Sequence, residues 1–181
     1  KSINENKEKI PERFTDVVTD EEYKKSINYN IERIRFSILT SVFGVGVLLF
    51  FTIGGILNNL TVFVQAITAS NILGAILLGL LLIVIGEIIE IPLAVYSTFY
   101  IEEKYGFNKT TTKTFVTDLF KNLLIQSIFS SILYAIVISI IENLGNNWWI
   151  FAFVAVFLLQ LVIFYIYPVL ILPLFNKFEP L

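Results

Sequence analysis

Glu87 and Glu90 lie in an otherwise apolar stretch and stand three residues apart, a spacing that puts both carboxylates on one face of a helix. A carboxylate at mid-bilayer costs roughly 2.5–3.5 kcal/mol on the insertion scale, and acidic residues at that depth usually face a cavity or a partner. These two stand only a turn or two from the polar residues that follow, where the cost is lower. Two readings therefore stay open: carboxylates hydrated at the interface, or carboxylates lining a cavity. A pair of carboxylates can also hold a cation or act as acid and base. The sequence contains no third element that selects among these roles.

A second polar set stands outside the apolar runs. Residues 101–108 read IEEKYGFN, Asp118 and Lys121 follow, and residues 168–181 close the chain as PVLILPLFNKFEPL. Gly106 permits a turn beneath Tyr105 and Phe107, and Asn108 and the threonines after it can satisfy backbone groups before the next helix begins. On this evidence alone residues 101–122 form a structured loop leading into a helix. The chain has no Cys and no His, so disulfides, thiolate metal sites and the usual zinc ligand sets are not expected within it. No catalytic residue is assigned.

The elements that position these residues follow from composition. Of 181 residues, 56% are hydrophobic, and the mean hydropathy of +0.77 exceeds that of soluble domains. The fold class expected is all-α: a polytopic membrane helix bundle of about four transmembrane helices plus a short N-terminal amphipathic helix. A net charge of -2 and dispersed basic residues argue against nucleic acid as a partner. The lipid bilayer is the expected one. Residues 1–35 hold eight basic and eight acidic residues, with no apolar run of the kind a cleavable signal needs. Within them Thr19 and Glu22 have capping-box spacing. Tyr23, Ile27, Ile31 and Ile34 then recur at helical spacing, the mark of the amphipathic helix, although a solvated helix that only connects elements reads equally well.

No residue from Phe36 to Gly86 is charged, and these 51 residues would extend far past one bilayer core as a single helix. The run is expected to turn back at Asn58 and Asn59, giving spans over 36–57 and 71–91, with Thr61–Ser70 as a connection lying in the interface. Ser37 with Ser41, and Ala75 with Gly79, have the spacing of small residues at helix contacts. Pro92 ends or kinks the second span. A helix from Thr112 leads into a third span over 123–141, and Glu142–Asn147 forms a polar turn. Trp148 and Trp149 mark an interface, and a fourth span over 148–172 is closed by Pro168 and Pro173. The membrane domain thus covers 36–175, and 176–181 begins a further connection.

Basic residues set the orientation, because they concentrate on the cytoplasmic side. Eight Lys and Arg precede the first span, four (Lys104, Lys109, Lys113, Lys121) separate the second from the third, and Lys177 follows the fourth. The other two connections have none. An even number of crossings with both ends cytoplasmic is expected, in a bacterial or archaeal inner membrane or the endoplasmic reticulum.

The combination of EEKYGFN, the Asp118 and Lys121 pair, and PLFNKFEPL about 65 residues later, together with the acidic-aromatic segment near Asp20–Tyr29, resembles the type I CAAX prenyl proteases. The likeness runs along nearly the whole chain in order. It implies a polytopic zinc metalloendopeptidase whose helices surround a large chamber for a prenylated or membrane-associated peptide, closed on the cytoplasmic side by a zinc domain. In that family an HExxH helix follows the PLFNKFxPL segment, and another membrane helix precedes the region aligning with Lys1. The chain, which opens on Lys1 and has no Met, is therefore expected to be a fragment covering the second to fifth membrane helices.

Two His of HExxH hold zinc, a downstream Glu completes the site, and the motif Glu activates the bound water. With no His, the fragment is expected to be inactive alone and to carry no cofactor, zinc belonging to the parent. Glu102, Glu103, Gly106, Phe107 and Asn108, with Pro173, Phe175, Asn176 and Phe178, are expected to contact the missing catalytic domain, unless they only stabilise loops. The alternative from another class is a non-catalytic membrane scaffold or small transporter. A transporter needs polar residues spread through several spans, and only Glu87 and Glu90 offer that.

Overall fold

A computed structural model describes residues 19–175, and the expectations placed on Asn176 and Phe178 lie outside the described residues. Every regular element among the described residues is helical. In order they are α1 (Asp20–Thr52), α2 (Ile56–Ile67), α3 (Asn71–Tyr96), a π-helical segment (Ser97–Glu102), α4 (Thr112–Asn143), a 3-10 turn (Gly145–Asn147), α5 (Trp148–Ile166), a second π-helical segment (Tyr167–Ile171) and α6 (Leu172–Phe175). Among the described residues four stretches are long and apolar enough to cross a membrane: Asp20–Thr52, Asn71–Glu102, Thr112–Asn143 and Gly145–Phe175. This is the all-α polytopic architecture that composition requires.

α1 starts where the sequence places its cap. The Glu22 N–H donates to Thr19 Oγ1, and the Thr19 N–H donates back to Glu22 Oε2 at 3.0 Å. Asp20, Glu21 and Glu22 fill the first turn, where the helix dipole favours negative charge. The amphipathic stretch is not a separate helix; it forms the opening turns of α1. No Gly or Pro lies between Asp20 and Phe43 to stop it, so 33 helical residues run on unbroken. Their length of about 50 Å exceeds a hydrocarbon core of about 30 Å. The charged turns up to Arg35 therefore project from the membrane, and the uncharged remainder crosses it.

The first helix break comes earlier than Asn58 and Asn59. It lies at Ile53–Gly55, where Gly55 takes the left-handed conformation (φ 79°) that ends helices at little steric cost. The asparagines instead sit in the first turn of α2.

Pro92 does not end α3, which passes through it to Tyr96 and then widens into the first π-helical segment. Pro168 likewise lies within the second π-helical segment, and Pro173 within α6. In a bilayer no water takes up the carbonyls that a proline leaves bare, and local π adjustment keeps the rest of the backbone paired. The prolines reshape these spans without closing them.

The described residues divide into two compact units. One holds the residues up to Ile56 with Ile88–Thr111; the other holds Leu57–Glu87 with the residues from Thr112 onward. In the first, α1 packs against the π-helical segment, Phe36 meets Tyr96 at 5.2 Å between ring centroids, and Ile101 is the most buried residue, 1% exposed. In the second, α4 packs along α5. α3 and α4 run antiparallel and meet through side chains at three levels: Asn71 with Glu142, Gly79 with Tyr134, and Glu87 with Gln126. Each step is eight residues along both helices.

Candidate functional site

The IEEKYGFN segment is a compact turn held on the projecting part of α1. The Glu103 carbonyl accepts from the Gly106 N–H and the Glu102 carbonyl from the Phe107 N–H, both at 2.9 Å. Gly106 is left-handed (φ 68°), which lets the chain reverse there. Asn108 donates to Glu103 Oε2 at 2.9 Å, and its Oδ1 accepts from the Thr110 N–H at 2.7 Å. Glu102, Glu103, Gly106 and Asn108 thus shape the turn through its backbone. Phe107 faces outward and meets Tyr29 at 4.7 Å, while Tyr29 also meets Tyr105 edge-on at 5.5 Å.

The counterpart on α1 is one helical face made by Lys25, Tyr29 and Glu32. Lys25 Nζ lies 5.9 Å from the Phe107 ring centroid. Glu32 Oε2 accepts from Lys104 Nζ at 2.8 Å and from the Tyr105 hydroxyl at 2.7 Å. Sequence reasoning missed Glu32 and Lys25. The signal was present, because positions 25, 29 and 32 recur at helical spacing, but the apolar stripe through Tyr23 and Ile34 drew the reading instead.

Glu32 lies in the charged turns outside the membrane-crossing part. Its carboxyl is held below the usual carboxylate range by the hydrogen bonds from Lys104 first and from Tyr105 second. Glu32 in turn holds Lys104 above its ordinary value and raises Tyr105. A lowered carboxylate stabilises the contact fully above its unfolded pKa and loses that contribution as pH falls through the lowered value. The raised lysine contributes fully below its unfolded pKa and loses that contribution as pH rises through the raised value. The clamp is therefore expected to hold from mildly acidic to strongly alkaline pH. Because Lys104 is half exposed, the gain is modest. Glu32→Gln is expected to raise the trypsin cleavage rate after Lys104 several-fold near neutral pH; an unchanged rate would remove the clamp.

In the second unit the structure brings Asp118 and Lys121 to the last described helix. Lys121 Nζ donates to the Leu174 carbonyl at 2.7 Å, lies 3.3 Å from Asp118 Oδ1, and sits 5.3 Å from the Phe175 ring centroid. A lysine ammonium is a fitting donor to a helix carbonyl. Pro173 lies in the same helix as Leu174. A groove of about 500 Å³ opens beside it, with Asn122, Gln126 and Ser130 along one face of α4 and Ile163, Tyr167 and Ile171 opposite.

Glu87 is half-buried and accepts from Gln126 Nε2 at 3.2 Å. Glu90 is exposed and makes no hydrogen bond or ion pair among the described residues. No group of three or more His, Cys, Asp or Glu among the described residues is placed to hold a metal.

The sequence profile described as "CAAX prenyl protease N-terminal, five membrane helices" matches residues 1–177. The chain belongs to the CAAX prenyl protease family. It is 35% identical to a probable CAAX prenyl protease 1 of Schizosaccharomyces pombe, over 97% of this chain and 40% of that protein. With CAAX prenyl protease 1 of Saccharomyces cerevisiae the identity is 32%, over 96% and 40%. The crystal structure of S. mikatae Ste24p superposes with a TM-score of 0.85 at 28% identity, covering 99% of this chain and 43% of that one. The chain thus spans about two-fifths of the length of these CAAX prenyl proteases. It is the N-terminal membrane portion of the family, multi-pass and helical.

Proposed function

We propose that this chain forms part of the membrane chamber of a zinc metalloendopeptidase that accepts a prenylated or membrane-associated peptide. The reading rests on one observation above all: the match to CAAX prenyl proteases extends over nearly the whole chain. In this proposal the protein supplies walls and attachment points, and the zinc ligands and catalytic Glu lie in a further catalytic domain. The turn at Glu102–Asn108, the exit around Pro173 and Phe175, and Asn176 and Phe178 beyond it, dock that domain. Glu87 and Glu90 line the chamber, and the termini of the chain face the cytoplasm.

Two features support the division of labour. Lys121 Nζ ties α4 to the Leu174 carbonyl, next to the segment assigned here to docking. The 181 residues contain no His, so the HExxH chemistry has to come from elsewhere in the parent. The experiment is to express the full-length parent with zinc and assay a prenylated peptide beside an unprenylated membrane peptide, with the 181-residue chain as control. The parent is expected to cleave and the 181-residue chain to do nothing. A zinc-loaded parent that cleaves neither peptide would overturn the assignment.

A further inference from the structure

α2 is tied at both ends to membrane-crossing helices. Three residues join Thr52 to Ile56, and three join Ile67 to Asn71, so each connection reaches at most roughly 14 Å. α2 cannot leave the neighbourhood of the membrane. Nor can it cross: its 12 residues measure about 18 Å against a core of about 30 Å. A crossing there would also put the basic start of α1 and the lysines around Lys109 on opposite sides, against the distribution that governs insertion.

The sides of α2 differ. Val64, 3% exposed, rests on α3, where a β-carbon placed at Gly74 would meet its Cγ1 at 3.7 Å. Phe63 and Ile67 project away, 57% and 60% exposed. Asn58, Thr61 and Gln65 form a stripe on the side roughly opposite these two. No charged residue occurs in α2 or in its connections, so nothing on it selects a charged partner. The exposed apolar surface continues into its neighbour through Leu73 after it. That continuity, the tethering and the lack of charge identify the occupant as lipid.

We propose that α2 is an interfacial helix, lying in the plane of the bilayer with Phe63 and Ile67 in the acyl boundary of neutral phospholipid and Asn58 and Gln65 toward water. It fixes the depth of the α1–α3 reversal, and the absence of basic residues makes the seating independent of anionic lipid.

Nitroxide labels introduced by Asn58→Cys, Phe63→Cys, Gln65→Cys and Ile67→Cys in a cysteine-free full-length parent, reconstituted in phosphatidylcholine vesicles, test this. Labels at 63 and 67 should favour collision with oxygen over a water-soluble nickel chelate and report a depth of about 5–10 Å below the headgroups; labels at 58 and 65 should do the reverse. Labels at 63 and 67 open to the chelate, shielded from both probes by protein, or at the bilayer centre would each overturn the proposal. Phe63→Trp in the otherwise unaltered parent is a second test. Relative to the unsubstituted parent, its added fluorescence should be quenched more by lipid brominated near the glycerol than near the chain end, equally with or without phosphatidylglycerol. Equal quenching by both lipids, or none, or a dependence on phosphatidylglycerol, would contradict it.

Discussion

Gly79→Leu will strongly reduce the folded fraction of this membrane domain. Gly79 is the middle of the three levels at which α3 meets α4, and a β-carbon there would fall on the ring of Tyr134. The helices approach closely at this level only because position 79 has no side chain. Overpacking of this kind costs about 1–3 kcal/mol, a shift of roughly 5- to 150-fold in the folding equilibrium. Thermal unfolding of the purified parent in detergent should show it, with a lowered midpoint and a smaller monodisperse fraction. Tyr134→Ala combined with Gly79→Leu should recover part of the loss, because the added side chain then occupies the space of the deleted ring. If the double variant is no better than the single one, the clash is not with Tyr134.

The second large effect belongs to Lys121. Lys121→Met removes the donor to the Leu174 carbonyl and the cation over Phe175 while keeping most of the aliphatic stem. Hydrogen bonds from charged donors contribute about 1.5–3 kcal/mol, and partial exposure puts this one near the lower end. A loss of about tenfold in correctly seated exit geometry follows. Under the proposed function this appears as a fall in kcat of the parent with KM little changed, since Lys121 positions the exit and does not touch the peptide. Lys121→Arg, which can also donate to a carbonyl, should retain most of the activity. Faster hydrogen exchange around Leu174 in the methionine variant would report the same loosening without an assay, and unchanged exchange with unchanged kcat would remove the role.

Much of the fold was legible because lipid imposes simple rules. The 51-residue uncharged run had to fold back, the Thr19 and Glu22 spacing specified a cap, and the change of composition at Thr112 marked the start of α4. The boundaries were read less well where two signals competed. Asn58 and Asn59 have turn chemistry, but Gly55 reaches the left-handed conformation more cheaply, and the helix breaks there. Pro92 and Pro168 are breakers in water, whereas in these spans the helix continues through both, Pro92 within α3 and Pro168 within a π-helical segment. The candidate site was legible as a set of motifs but not as a set of contacts. Asp118 and Lys121 were singled out as a pair and lie 3.3 Å apart, yet nothing in their spacing indicated that Lys121 reaches a carbonyl more than fifty residues later. Glu32 and Gln126 were overlooked because each gains meaning only from a partner distant in sequence.

The sequence by itself determined the class of this protein, its crossings and its family, since hydropathy, charge placement and contiguous motifs are local properties that survive without coordinates. Only the tertiary structure decided which face of α1 holds the 103–108 turn, which residue of α4 secures the last span, and where α3 and α4 approach. Those outcomes depend on the angular position of side chains on separate helices, and a linear pattern records spacing along one helix but not which residue of another helix stands opposite.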